Sequence, residues 1–356
     1  MQKIAVLGAG YMGSAITFPL TDNGAKVNLW GTRLDDKLIE SSKKGVHPKL
    51  KKPLNPGVSC FYSVDLKQAI KDTDTIFIGV ASEGFVDIFE LLIDNIEPDR
   101  DYMFLKLTKG LVEYGGRIMR ASEAAKLIYY KKFPEREKSQ DASHIFRITS
   151  IGGPVRALEL ANRTLSASVY GIQDGQIKKL LKRFSTDYYR IFPVNDYTGV
   201  EICSTFKNIY SIAAGICDGL FKKNLSGLYY NAVSFLFNQA VLEIKYIVKI
   251  TGGNPKTAFS LAGMGDLHVT SVAGRNRRYG ELVGSGVEPG AAFKQMFDEG
   301  EYGEGYIALK LALPWLSNFG VEIAVELPLL NLLCNVVLRG FDPDAELKAF
   351  ALNFGI

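Results

Sequence analysis

The stretch KIAVLGAGYMG, Lys3 to Gly13, decides the fold. A short apolar run of β character, Lys3 to Leu7, enters Gly8, Gly10 and Gly13, and a segment with helical character, Ser14 to Asn23, follows and is closed by Gly24. The string Gly-x-Gly-x-x-Gly is weak evidence alone. Placed directly after a strand and at the head of a helix, it reads as a dinucleotide-binding turn. Gly8 permits the tight turn, Gly10 lets the backbone approach a pyrophosphate, and Gly13 lets helix and strand pack closely. The helix N-terminus adds N–H donors and a positive dipole. Gly8, Gly10, Tyr11, Met12 and Gly13 are therefore candidate cofactor contacts. Pro19 lies inside the helix, removes a hydrogen bond and predicts a kink.

Outward from this turn, Lys26 to Trp30 reads as a second strand, and apolar runs recur at Thr75–Val80, Tyr102–Leu107, Arg147–Ile151 and Ser166–Tyr170. The intervals are long enough for helical crossovers, which predicts a parallel, doubly wound sheet. From about Asp196 onward, long segments with helical spacing replace the alternation. The expected architecture is an α/β dinucleotide-binding domain over 1–195 followed by an all-helical substrate and catalytic domain over 196–356. The lysine-rich segments Ser41–Gly57 and Tyr130–His144 read as solvated excursions from the sheet domain.

Composition agrees with two folded domains: 356 residues, 47% apolar and 22% charged, exclude a disordered chain. A net charge of +4 is too small a surplus to imply nucleic acid. Cys60, Cys203, Cys217 and Cys334, like His47, His144 and His268, are dispersed, so neither a zinc site nor a disulfide scaffold is expected. The N-terminus does not read as a signal peptide, and AVELPLLNLLCNVVL is too short and too polar for a membrane span. The expected protein is soluble and cytoplasmic. Its helical half has enough apolar surface for a homodimer interface, which periodicity does not distinguish from core.

The end of the second strand reports on the ribose 2′ position. Trp30 is followed by Gly31, Thr32 and Arg33, with no carboxylate at the strand end. A 2′-phosphate would find a hydroxyl and a guanidinium there, which favours NADP over NAD. Asp35 and Asp36 lie close enough to compete, and a merely solvated Arg33 is the plainer alternative.

Three further features point to chemistry. In EICSTFKNIYSIAAGICDGL, Lys207 is the single charge between Glu201 and Asp218, next to an apolar stripe of Phe206, Ile209, Ala213 and Ile216. A lysine near the core without a carboxylate at i±3 or i±4 needs a tertiary partner or a ligand, unless it snorkels to water. GMGDLHVTSVAGRNRRYGE, Gly263 to Glu281, combines Asp266, Thr270 and a predicted helix opened by Gly274, Arg275 and Asn276, donors that suit a phosphate dianion. Arg277 and Arg278 read as surface residues. LTKGL places Lys109 at a strand exit, where doubly wound sheets bind ligands.

Together these pieces resemble the soluble NAD(P)-dependent glycerol-3-phosphate dehydrogenase family nearly end to end, through GAGYMG, LWG, TKG, GGPVRALELA, GVEICSTFKNIYSIAAGICDGL, GMGDL, GRNRRYGE and EGYIA. The resemblance implies a Rossmann-type first domain, a helical second domain and an active site between them. It implies that Lys207 is the catalytic lysine, with Asn208 beside it, Lys109 at the strand exit, and Asp266 and Thr270 organising the site. It further implies that Arg275 and Asn276, with Gly274, hold the substrate phosphate, that Gly153 meets substrate through its backbone, and that Glu304, Ala157, Lys109 and Arg275 lie on the cofactor side. Metal is not expected.

The departures are local. GGPV puts Gly152 and Val155 where many members carry hydroxyls, Asn238 and Gln239 replace a usual Arg-Gly, and the HPKLKKPLNPG loop is longer than usual. The expected reaction passes hydride to C2 of dihydroxyacetone phosphate while Lys207 protonates the developing alkoxide. The product would be sn-glycerol 3-phosphate for phospholipid synthesis. The alternatives are a non-turning dinucleotide sensor, favoured by the lost hydroxyls, and a hydroxy-acid dehydrogenase of the same build, disfavoured by a phosphate site.

Overall fold

Successive residues of β1 (Lys3–Leu7) turn to two separate apolar cores. Ile4 and Val6 join Phe77 and Leu105 on one face of the sheet, while Ala5 and Leu7 join Ile76, Ile78 and Phe104 on the other. A strand whose two faces are both covered by helices must be apolar at nearly every position, which is why these runs do not alternate with polar residues. In this computed structural model the described residues are 2–138, 146–173, 181–225, 230–301 and 303–353.

The remaining strands are β2 (Lys26–Trp30), β3 (Val58–Phe61), β4 (Thr75–Ile78), β5 (Met103–Lys106), β6 (Leu111–Tyr114), β7 (Arg117–Arg120), β8 (Arg147–Gly152), β9 (Ser166–Gly171) and β10 (Tyr189–Val194). Eight of them form one sheet in the order β10-β9-β8-β5-β4-β1-β2-β3, and β6 pairs with β7 in a separate hairpin. The sheet is parallel except for the antiparallel pairing of β8 with β9. There the chain returns through a five-residue helix, Ala157–Ala161, which packs against the first helix, α1 (Tyr11–Asp22). β1 sits between β2 and β4, the place where the strand order reverses and where doubly wound sheets bind ligands. α1 continues through the buried Pro19 to its end.

The chain forms two compact units, Met1–Glu201 and Ile202–Ile356, and the division falls inside the helix Tyr197–Leu225. Among the described residues no strand follows β10. The second unit is built from helices, including Tyr230–Ile250, Asp266–Val272, Arg275–Gly284 and Glu304–Ser317. Two of them touch at backbone distance. A Cβ on Gly215 would lie 1.9 Å from the Arg277 carbonyl oxygen, and one on Gly280 would lie 2.2 Å from that of Ile212. The glycines of AAGICDGL and YGELVG therefore set how closely the helix bearing Lys207 approaches the helix opened by Arg275. The buried Glu243 carboxylate accepts from the N–H groups of Leu329 and Leu330, at the start of the helix Pro328–Arg339, and from Tyr210 Oη and Gln239 Nε2. Gln239, one of the departures from the family pattern, is thus absorbed into a structural network.

Both lysine-rich excursions are more than solvated loops. His47 and Leu50 are buried, and Arg136 is buried with its guanidinium bonded to Tyr129 Oη at 2.6 Å. Long stems of Lys and Arg cover apolar surface while their heads find partners, so a charge-rich stretch need not be detached. His144 lies outside the described residues.

Candidate active site

The first unit presents the glycine turn at the carboxyl end of β1. Gly8 has φ +101°, and a Cβ there would meet the Gly79 carbonyl oxygen at 2.8 Å, so the turn needs glycine on both counts. A Cβ on Gly13 would lie 1.9 Å from the Gly8 carbonyl oxygen, whereas one on Gly10 would meet nothing within 4 Å. The side of the turn facing Gly10 is open, and α1 begins there with no side-chain cap and no acidic residue in its first turn. N–H groups at the head of a 12-residue helix, beside an open glycine turn, fit a pyrophosphate. Tyr11 is exposed and Met12 half-buried at this helix start.

At the end of β2, Asp35 is the carboxylate that competes. The sequence shows no carboxylate directly at the strand end, yet a short 3₁₀ turn, Arg33–Asp35, folds Asp35 back onto it. Asp35 Oδ2 accepts from Thr32 N at 3.1 Å, Thr32 Oγ1 at 2.9 Å and Ala9 N at 3.3 Å. The Thr32 hydroxyl proton is spent on Asp35, and of the proposed 2′-phosphate donors the exposed Arg33 keeps its side chain at the surface.

Lys109 is half-buried in the turn after β5, followed by Gly110 at φ +153°. The support beneath this turn was not read from the sequence. Lys106, 2% exposed, donates to the Thr108 carbonyl oxygen at 2.8 Å and lies 3.1 Å from Glu201 Oε1, itself 1% exposed. Ser122 also donates to Glu201 through its N–H and hydroxyl, and Arg120 Nη1 donates to Thr198 Oγ1 at 2.7 Å. Burial pushes the Glu201 carboxyl up, but the charges of Lys106 and Arg120 and the Ser122 hydrogen bonds outweigh it and hold it below the ordinary range. A lysine inside a strand reads from sequence as an edge or strand-end residue, so its carboxylate partner 95 positions away left no local signal.

Gly153 follows β8 at φ +124°, and a Cβ on it would lie 2.9 Å from the Ala167 carbonyl oxygen. Val155 and Ala157 are partly buried and pack against the core of this unit.

In the second unit, Lys207 is 7% exposed, and its ammonium lies 2.6 Å from Asp266 Oδ1 and 2.8 Å from Thr270 Oγ1. Asp266 opens the helix Asp266–Val272, and Thr270, one turn on, also donates to the Asp266 carbonyl oxygen. The snorkelling alternative does not describe this lysine. Its neighbour Asn208 donates to Glu304 Oε2 at 3.2 Å and accepts from Asn276 Nδ2 at 3.1 Å, while Asn276 Oδ1 accepts from Gly305 N at 2.8 Å. Arg275 Nη2 completes the chain at 2.9 Å from Glu304 Oε1, and its side chain remains 42% exposed. Arg275 thus keeps access to solvent, and Asn276 keeps one amide hydrogen beyond its two bonds. The helix starting at Arg275 is capped by Gly274, with no side-chain cap and no first-turn acid, so its N-terminus also offers donors to an anion.

Arg278 pairs at the surface with Glu299 and Glu301. Arg277 departs from the surface reading: its guanidinium grips the buried Asp218 and donates to the Ser271 and Val272 carbonyl oxygens, tying together three helical segments. Among the described residues no group of His, Cys, Asp and Glu is arranged to hold a metal, and no helix is long and apolar enough to cross a membrane.

Comparison with known proteins agrees with this geometry over both units. The NADP(+)-dependent glycerol-3-phosphate dehydrogenase of Archaeoglobus fulgidus is 30% identical over 352 residues, covering 98% of each chain. A glycerol-3-phosphate dehydrogenase [NAD(P)+] of Bacillus velezensis is 31% identical, covering 94% of this chain and 91% of its own. The crystal structure of glycerol-3-phosphate dehydrogenase from Coxiella burnetii superposes with a TM-score of 0.81 at 27% identity, covering 98% of each chain. The family models for the N-terminus and the C-terminus of NAD-dependent glycerol-3-phosphate dehydrogenase match residues 3–178 and 196–348, and the chain belongs to that family.

Proposed function

We propose that this chain interconverts dihydroxyacetone phosphate and sn-glycerol 3-phosphate with a nicotinamide dinucleotide, using residues 1–195 to bind the dinucleotide and 196–356 to carry the substrate chemistry. The observation that carries the reading is the buried Lys207 ammonium held between Asp266 and Thr270. A bound reduced dinucleotide supplies the hydride. Lys207 donates a proton to the C2 oxygen as negative charge develops on it, and Asp266 offsets the desolvation of the ammonium and aims it. Thr270 fixes the remaining direction of the Lys207 head. Lys109 adds positive potential at the carbonyl oxygen.

Arg275, Asn276 and the N–H groups following Gly274 hold the phosphate, with Asn208 orienting Asn276. When phosphate binds, Arg275 is shared between it and Glu304, to which the family reading gives a cofactor contact. Gly153 contacts substrate through its backbone. Gly8, Gly10, Tyr11, Met12, Gly13 and Ala157 line the dinucleotide. Arg33 favours the 2′-phosphate and Asp35 opposes it, so the preference for NADP over NAD rests on Arg33 outweighing a carboxylate already engaged by three donors.

Loss of reduced-dinucleotide absorbance with dihydroxyacetone phosphate, compared for NADPH and NADH, tests the reading. Turnover with NADPH the better donor is expected. Binding of either dinucleotide without turnover is the outcome that would replace the enzyme with a sensor. Cytoplasmic location, a homodimer and supply of glycerol phosphate to phospholipid synthesis follow from the family reading. The dispersion of the four cysteines fits a reducing compartment, and sedimentation analysis tests the dimer.

A further inference from the structure

We propose that His47 is a positioning residue for the dinucleotide, acting as a splint on the glycine turn; this rests on the dinucleotide reading above. His47 belongs to the excursion between β2 and β3, and its side chain is fully buried. The Leu50 N–H points at Nδ1 at 3.3 Å, which makes Nδ1 the acceptor and places the imidazole proton on Nε2. Nε2 lies 3.0 Å from the Ala9 carbonyl oxygen and 2.8 Å from Ser14 Oγ. The single Nε2 proton is therefore shared between the Ala9 carbonyl oxygen, in the middle of the Gly8-Ala9-Gly10 turn, and Ser14 Oγ, in the first full turn of α1.

This bond has a consequence at the ligand side. The Ala9–Gly10 peptide is trans, so its C=O and N–H point in opposite directions. With the carbonyl held by His47, the Gly10 N–H is aimed away from the imidazole, and a carbonyl that would repel a pyrophosphate is kept on the far side of the peptide. Asp35 holds the other face of the same residue by accepting from Ala9 N. Ala9 is thus clamped between a donor and an acceptor, both supplied by segments outside the glycine motif.

The excursion is itself anchored. Leu50 joins the sheet core, His47 and Lys52 form an antiparallel bridge, and Lys52 Nζ donates to the Ala161 carbonyl oxygen at 2.8 Å. The charged groups facing the imidazole are Lys49 from its own loop and Asp35 from beyond the turn; α1 contributes the neutral Ser14. Burial, ahead of the other influences, holds the imidazole below its ordinary value. A proton on Nδ1 would set two donors against each other at the Leu50 N–H, so protonation breaks the splint from the loop side.

The test is fluorescence titration of the full chain with NADPH, without substrate, from about pH 8 to about pH 5, on wild type, His47→Leu and His47→Gln. His47→Leu is expected to weaken binding at least about tenfold at pH 8, the scale of one lost orienting hydrogen bond. His47→Gln keeps a donor near Ala9 and does not titrate, so it is expected to bind within about threefold of wild type at pH 8 and to weaken less toward acid than wild type, the weakening common to both belonging to the 2′-phosphate. Wild-type affinity in folded His47→Leu would overturn the proposal. If His47→Leu does not fold, the Gln variant decides: an acid limb identical to wild type overturns the splint, and a shallower one supports it. Failure of wild type to bind NADPH or NADH would instead refute the dinucleotide reading.

Discussion

Lys207 and Asp266, 59 residues apart in sequence, meet at 2.6 Å inside the helical unit. With both side chains almost wholly enclosed, the pair is far from the exposed ion pairs that contribute little, because each charge depends on the other for its solvation. If this ammonium protonates the reacting oxygen, Lys207→Ala lowers kcat by about 10²–10⁴-fold while the dissociation constant for NADPH stays within about threefold. Steady-state kinetics beside dinucleotide titration measures both. Turnover near wild type would remove Lys207 from the reaction.

Arg275 is predicted to act on binding instead of chemistry. Its removal leaves Glu304 without a counter-charge but keeps the Asn208–Asn276 pair, so Arg275→Ala raises the KM for dihydroxyacetone phosphate about 10- to 100-fold with a smaller change in kcat. Inhibition by inorganic phosphate weakens in parallel. An unchanged KM would place the phosphate elsewhere.

The Lys106–Glu201 pair governs stability of the first unit. Lys106→Met leaves the buried Glu201 with Arg120 and Ser122, and Glu201→Gln leaves the buried Lys106 ammonium with the Thr108 carbonyl oxygen, so each costs up to about 3–5 kcal/mol in denaturant unfolding. The double variant loses less than the sum. Glu201 has a folded pKa below its unfolded value, so the stability it supplies is complete above the unfolded value and disappears as pH falls through the folded one. Wild type is therefore more acid-sensitive than Glu201→Gln across that window, as pH-dependent melting would record.

Gly280→Ala tests the backbone-distance contact. The new methyl would lie 2.2 Å from the Ile212 carbonyl oxygen, where backbone cannot yield cheaply. A loss of at least about 1–3 kcal/mol is expected from overpacking, read as a lower unfolding midpoint. The same substitution at the open Gly10 leaves the unfolding midpoint near wild type and weakens NADPH binding.

Much of the fold was legible because its signals are local. The apolar strands, the glycine turn between β1 and α1, and the change to helical spacing all follow from neighbouring residues. The polar loops were less legible. His47 and Arg136 looked solvated because a charge-rich window dominates the composition around them, and their burial depends on surfaces contributed by distant segments. β3, β10 and the β6–β7 hairpin were not anticipated, being mixed in polarity and partly exposed.

The sequence by itself determined that a glycine turn joins the first strand to the first helix, that a helical unit follows, and that Lys207 either finds a tertiary partner or snorkels to water. The family resemblance already names Asp266 and Thr270 beside Lys207; which residues neutralise Lys106, and which hold the turn, was decided only by tertiary structure. Asp35 returns to the end of β2, Glu201 neutralises Lys106, and His47 binds Ala9. Each is a polar group whose burial is tolerable only with a partner, and long-range folding supplies that partner at positions no local spacing encodes.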